Sequence, residues 1–314
     1  MPTHKTRKGS LQFYPRKRID KFIPSVNWAP VKTGEKGLLG FIAYKAGMAS
    51  AIVKDTTEHS MTKGKRIIVP VSVLEVPSMK IYSVRFYKSG KVIKDVVVSN
   101  DKELRKKLKI SKTQKNLENE IPKEFDDIRL LVYSVVKQTR IKKTPDLAEI
   151  AMNHDNKLDF VKSLVGKEIS ISDFVKTNLV DVRGLTRGKG LQGPVKRFGI
   201  KLKFHKSEKG VRRPGSLGPW HPARVTFRTP IAGQLGLFTR IHYNQKIILT
   251  GKISEKNINP KAGFNHYGNI SSSFLILSGS VQGPKKRQIL LTPAIRPTKK
   301  QNKKQYEFIE LVTS

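Results

Sequence analysis

There is no cysteine in this chain, which excludes disulfides, thiolate metal sites and cysteine nucleophiles together. Acidic residues are scarce: 24 Asp and Glu stand against 62 Lys and Arg, for a formal charge of +38. No apolar run reaches the length of a membrane span, and Met1 to Lys21 is charged where a secretory signal would be apolar. The expectation is an intracellular protein, cytoplasmic by default. Hydrophobic residues make up 37% of the 314, too many for a disordered tail protein and few for a compact enzyme. A folded body with polar extensions fits that composition, with length enough for one large core or two modest ones. A charge this large repels itself unless a polyanion neutralises it, so nucleic acid is the expected partner. An anionic membrane would call for an amphipathic helix or an apolar anchor, and neither is visible.

The charge is placed unevenly. Residues 101–181 hold 14 acids against 17 bases, the balance of an ordinary water-facing lobe. The remaining 233 residues carry 45 bases against 10 acids. From His4 to Lys21 runs a basic arm with interleaved aromatics, among them Phe13 and Tyr14. A strand-rich body follows. Gly40–Tyr44 and Ala49–Lys54 read as a hairpin about Lys45-Ala46-Gly47-Met48, Ile67–Val76 as a strand, and Ile81–Tyr87 with Val92–Val98 as a hairpin on a Ser89-Gly90 turn. Dense β-branching and short turns suggest a barrel or a sandwich. Asp101–Ile110 and Lys115–Ile121 read as helices, Leu130–Val136 as a strand and Asn156–Val165 as a helix, while Leu147–Met152 fits either state. Ile169–Val175, Leu179–Val182, Arg224–Arg228, Leu237–Leu249, Phe274–Val281, Arg287–Thr292 and Tyr306–Val312 all read as strands.

The most informative stretch lies between Asp181 and Arg228, with 13 bases, two acids and eight glycines. Its large apolar residues are too few for it to order itself by its own core, so 183–223 is expected to be disordered when free and to thread between RNA helices when bound. Glycines let backbone N–H groups approach phosphates closely. Trp220, bracketed by Pro219 and Pro222, is placed either to stack on an unpaired base or to pack back on the body. Gly188-Lys189-Gly190-Leu191-Gln192-Gly193 matches a dinucleotide fingerprint, which works only where a helix begins at the loop. Here Pro194 follows, and Val195–Phe204 reads as basic and non-helical. The seven histidines show no metal-ligand spacing, so no catalytic residue, metal or cofactor is assigned.

Phe174, Asp181, Gly184, Thr186, Gly188, Lys189, Gly190, Gly193 and Arg197 stand at the spacing of the signature of the universal L-three family of large-subunit ribosomal proteins. Tyr44-Lys45-Ala46-Gly47-Met48, Pro219-Trp220-His221-Pro222-Ala223-Arg224-Val225 and Gly263-Phe264-Asn265-His266-Tyr267-Gly268 resemble further blocks of that family, in its archaeal form. The resemblance implies a mainly β fold: a six-stranded translation-protein barrel, an inserted α/β lobe, a basic N-terminal extension and a long internal loop. It also implies a role that is structural rather than enzymatic. The partners would be large-subunit rRNA and neighbouring ribosomal proteins, with a part in early assembly and a loop reaching towards the peptidyl transferase centre. Some relatives carry a methylated histidine in the loop. Glu208 stands at that position here, and the modification is not carried over.

The expected layout is an extension over 1–36, barrel segments over 37–100, 167–182 and 224–292, a lobe over 101–166, an RNA-penetrating loop over 183–223 and a basic end over 293–314. The expected rRNA-contacting residues of the arm and body are Lys5, Arg7, Lys8, Arg16, Lys17, Arg18, Lys45, Lys285, Lys286 and Arg287. Those of the loop are Arg187, Lys189, Lys196, Arg197, Lys201, Lys203, Lys206, Lys209, Arg212, Arg213, Trp220, His221 and Arg224. Two other classes compete. A nucleotide-dependent enzyme would show a helix starting at Gly190–Pro194. A DNA-binding protein would place its bases on a recognition helix.

Overall fold

A computed structural model describes residues 7–31, 33–110 and 117–312. It is mainly β. The first strands are β1 (Gly37–Leu38), β2 (Phe41–Asp55), β3 (Arg66–Val76), β4 (Met79–Lys88) and β5 (Lys91–Val97). They are followed by β6 (Asp127–Ser134), β7 (Leu147–Asn153) and β8 (Leu179–Leu185). Two short strands, β9 (Leu191–Gln192) and β10 (Gly233–Gln234), precede β11 (Thr239–Lys252), β12 (Ser273–Ser278), β13 (Gln288–Pro293) and β14 (Tyr306–Val312). Helices are short: α1 (Lys157–Leu164), α2 (Ile171–Phe174), α3 (Pro194–Phe198) and α4 (Lys299–Lys303). The chain divides into two compact units, one from the described part of Met1–Phe22 with Leu185–Arg240, the other from Ile23–Gly184 with Ile241–Ser314.

In the larger unit one sheet runs β13-β8-β11-β12-β3-β2-β14, and β13 also pairs with β2. The second sheet runs β1-β7-β6-β4-β5. It takes strands from both sides of residue 101, so the lobe with the ordinary charge balance shares its sheet with the 79–97 hairpin. One apolar cluster is built on Phe41, Ile42, Leu130, Ile150, Phe174 and Leu290. A second gathers Val53, Val73, Phe264, Ile270 and Phe274. On this second sheet charges pair with one another: Arg85 bridges Asp95 at 2.7 Å and Glu149 at 3.1 Å, and Arg129 reaches Glu149 at 3.0 Å.

Several local expectations are corrected. The hairpin expected about Lys45–Met48 is one continuous strand with a bulge, since Lys45 pairs with Leu74 and Gly47 with Val73 on the same partner. Gly47 serves close approach, not a turn: a Cβ there would stand 3.2 Å from the Phe264 ring. Ile169–Val175 was expected as a strand, but its centre is helix α2. The Ser170 N–H donates to the Asp173 carboxylate at 2.9 Å, a local cap that outweighs the β-branched run. Asp101–Ile110 contains only one 3-10 segment, Lys102–Lys106, and another occupies Glu118–Glu120. Residues 111–116 of the second expected helix lie outside the described residues. Leu104 is buried in that first segment, but a single apolar contact per turn gives no stripe to propagate a helix. Arg224–Arg228, also expected as a strand, is exposed and irregular, because no strand lies beside it among the described residues.

The family blocks outside the loop find physical reasons here. Tyr44 is buried, and its hydroxyl donates to Asp146 at 2.6 Å, so burial and that carboxylate push its pKa well up. Glu75 is buried and accepts from the Tyr267 hydroxyl at 2.5 Å and from the Ser271 and Ser272 N–H groups at 2.8 and 3.0 Å. It thereby ties the Gly263–Gly268 turn to β3. Asp181 is fully buried and accepts from the N–H groups of Asn244 at 2.8 Å and Ile295 at 3.0 Å. Burial raises its pKa, and those two donors oppose the rise.

Candidate nucleic-acid interface

The smaller unit is built on a base and an exposed reach. At the base the two stalks of the internal excursion are held by backbone bonds, Thr186 N–H to the Phe238 carbonyl at 3.0 Å and Lys189 N–H to the Leu235 carbonyl at 2.9 Å. Strands β9 and β10 pair antiparallel between them. Helix α3 follows Gly193, with Pro194 at its first position, where a missing N–H costs nothing, and Gly199 ends it in the left-handed region. Val195–Phe204 was expected as non-helical throughout, so its first turn is a correction. The reason is local: Pro and Gly delimit one turn whose single buried side chain is Phe198.

Phe198 organises three guanidinium groups. Arg7, Arg16 and Arg197 stand with their carbons 4.9, 4.4 and 5.0 Å from its ring centre. Arg197 is committed to main-chain carbonyls: Nε donates to Gln234 at 2.9 Å, Nη1 to Ile231 at 3.0 Å and Nη2 to Arg16 at 3.3 Å. Arg16 Nη1 donates back to the Arg197 carbonyl at 3.0 Å, and Arg7 Nη1 to the Arg228 carbonyl at 2.6 Å. Burial lowers the pKa of Arg16, yet a guanidinium stays charged at any working pH. Gly233 leaves room for this packing, since a Cβ there would stand 2.9 Å from Arg197 Cζ. The excursion therefore does have a core of its own. Phe198 and Ile200 are buried in it, where the sequence reading expected too few large apolar residues for the stretch to order itself by its own core.

Beyond the base the chain faces outward. Lys201, Lys203, Lys206, Lys209, Arg212, Arg213, His221 and Arg224 are exposed, as are Arg187, Lys189 and Lys196 nearer the stalk. Trp220 is 87% exposed. Phe204 and Phe227 are exposed as well, in step with the bases. Sequence reasoning passed over both, although an aromatic interleaved among lysines was the signal that could have found them. On the arm Lys8, Lys17 and Arg18 are exposed, and Lys8 also gives its N–H to the Phe198 carbonyl at 2.6 Å. Lys5 lies outside the described residues.

The expected contacts of the larger unit divide. Lys45 is buried, its Nζ donating to the Val281 carbonyl at 2.5 Å, and burial lowers its pKa, with the Lys285 charge adding to the effect. Arg287 is half-buried, and burial lowers its pKa too. Lys285 Nζ donates to the Asn265 carbonyl at 2.5 Å, leaving Lys286 as the exposed member of the three.

The helix α3 that the enzyme reading required is present, but its setting is not that of a dinucleotide site. The strand before it, β9, pairs antiparallel with β10, and α3 spans five residues before Gly199 turns the chain. No parallel strand follows among the described residues to make a crossover unit. The arrangement can attract phosphates with outward bases and offer exposed rings to unstacked bases. What fold and surface define is a mainly β protein with an exposed, basic excursion, a class of surface suited to ribonucleoprotein assembly. The chain belongs to the ribosomal protein L3 family, whose model matches residues 1–312. It is similar to the large ribosomal subunit protein uL3 of Methanocaldococcus jannaschii, 38% identical over 94% of this chain and 92% of the relative. The proteins of the same name from Methanococcus vannielii and Archaeoglobus fulgidus are 38% and 39% identical, each over 95% of this chain and 93% and 94% of their own. These relatives carry the names of large-subunit ribosomal proteins.

Proposed function

We propose that this protein is a structural constituent of the large ribosomal subunit, bound to large-subunit rRNA and to neighbouring ribosomal proteins in the cytoplasm. Its exposed reach, residues 201–230, extends towards the peptidyl transferase centre, and its binding nucleates assembly. The observation that carries the reading is the division of labour within the excursion: arginines turned inward hold the base, while lysines and rings turned outward face a partner. The order of strand pairing supports a six-stranded barrel of the translation-protein type, since β13, β8, β11, β12, β3 and β2 form a ring of neighbours. The division into extension, barrel segments, lobe, loop and basic end is proposed on the same footing, with the 79–97 hairpin assigned to the lobe whose sheet it shares. So are the rRNA contacts, with Arg197 and Lys45 acting as supports inside the protein.

Sedimentation tests the reading. The tagged protein is expected to travel with large subunits through moderate salt, because contacts spread over arm and loop sum to a large electrostatic term. Free protein at the top of the gradient would overturn it. Single substitutions Lys201→Ala or Lys203→Ala are expected to weaken binding modestly. Each should lower the salt slope by roughly 0.7–0.9, the value for one phosphate no longer neutralised. An unchanged slope would remove that residue from the interface. Amide exchange of the free protein is expected to be slow at 186–200 and 231–240 and fast across 201–230, where few backbone bonds form. Uniformly fast exchange would show that the base forms only on RNA.

A further inference from the structure

The outer end of the β2–β3 hairpin leaves the ring of pairings. From Ser50 onward β2 pairs with β3 on one side and with β14 on the other, Ala51 standing opposite Leu311. Strand β3 meets β12 only over Val71–Val76. Residues 50–55, 66–70 and 306–312 thus form a three-stranded ribbon: among the described residues its β14 edge pairs with no strand, and on its β3 edge only the Pro70 carbonyl is met, by the Gly279 N–H at 2.7 Å. One face is packed, with Ala51 and Val53 buried and Tyr306, Phe308 and Leu311 against the second apolar cluster. The other face is open: Ile68 is 71% exposed, and Ile309 and Val312 are exposed too.

The two edges differ in chemistry. The β3 edge carries Arg66 and Pro70, ordinary guards against strand addition. Strand β14, Tyr306-Glu307-Phe308-Ile309-Glu310-Leu311-Val312, has no Lys, Arg or Pro, and its two glutamates are exposed. In a chain of +38 this is an acidic, partly apolar strand. Phosphate would be repelled by it, and a second copy of the same strand would set glutamate against glutamate. A basic polypeptide fits both its charge and its unpaired backbone.

We infer that β14 is a docking edge for a protein. Its open side takes a strand from a basic neighbour, main-chain bonds supplying affinity and Glu307 and Glu310 selecting Lys or Arg on the incoming strand. The inference rests on the reading that the chain works inside the large subunit. The test uses purified subunits in which Ile309 is replaced by the photo-crosslinker benzoylphenylalanine. Irradiation is expected to give an adduct with one basic protein, resistant to ribonuclease and destroyed by protease. An adduct with RNA, or none, would overturn the proposal. A second arm keeps backbone and size but reverses charge, E307K with E310K. Subunits carrying that variant are expected to retain it at parental stoichiometry while one basic protein falls about tenfold in occupancy. Normal occupancy of every other protein would overturn the docking edge alone. Failure of the parental chain to enter subunits would overturn the functional reading instead.

Discussion

Replacing Arg197 by Lys is expected to loosen the base of the excursion although it leaves the net charge untouched. The guanidinium donates from three nitrogens to three carbonyls, those of Gln234, Ile231 and Arg16. An ammonium on a flexible stem cannot reproduce that planar fork. A hydrogen bond to a charged group contributes about 1.5–3 kcal/mol, so losing two of the three costs on the order of 3 kcal/mol. By the rule that about 1.4 kcal/mol is tenfold, amide exchange at 186–200 and 231–240 should accelerate by roughly 100-fold. Phe198→Ala should act on the same region and more severely, since truncating a buried Phe costs about 3–5 kcal/mol. The salt slope for RNA should stay at the parental value in Arg197→Lys, because the number of neutralised phosphates is unchanged. Arg187→Lys, at an exposed position, is the control and should behave as the parent. If Arg197→Lys exchanged like the parent while Arg197→Gln lost salt-dependent affinity, Arg197 would be a phosphate ligand and the inward role would be wrong.

Trp220→Ala is expected to do the reverse, leaving the protein and its assembly intact while altering the RNA around the loop. The indole is exposed and supports nothing in the protein, so its removal should not change folding stability measurably. A stacking contact is worth about 1–3 kcal/mol, small beside the summed phosphate term, so occupancy in subunits and salt dependence should stay near parental. What should change is base reactivity near the loop in chemical probing of purified subunits, together with peptide-bond formation or its sensitivity to drugs at that centre. Parental probing and parental translation in Trp220→Ala subunits would remove the functional role of this side chain. The two substitutions therefore separate holding the excursion from what it presents.

Much of this was legible in the sequence because the signals are local or additive. Charge sums over residues whatever the fold, so the acid-poor 183–223 and the balanced 101–181 could be read directly. Period-two β-branching marked Ile67–Val76 and Tyr306–Val312, and both are strands over nearly those bounds. Ser89-Gly90 turns as read, with φ of +48° and +74°. The misreadings fall where a partner decides. Lys45-Ala46-Gly47-Met48 looks like a turn until β3 is seen pairing straight past it. Ile169–Val175 looks like a strand until Asp173 caps a turn of helix.

The sequence by itself therefore determined the class of partner, the strand-rich body, the basic excursion and, through its spaced signature, the family. Only the tertiary structure decided which bases face outward. Arg197 and Lys201 read alike in a string of letters, each a cation among glycines. Phe198 turns the first inward to carbonyls more than thirty residues away, while nothing folds over the second. Side-chain direction is set by packing between segments remote in sequence, and pattern along the chain carries no record of it. The same holds for β14, whose strand character is written in its residues but whose open edge exists because, among the described residues, β2 is its one neighbour in the sheet.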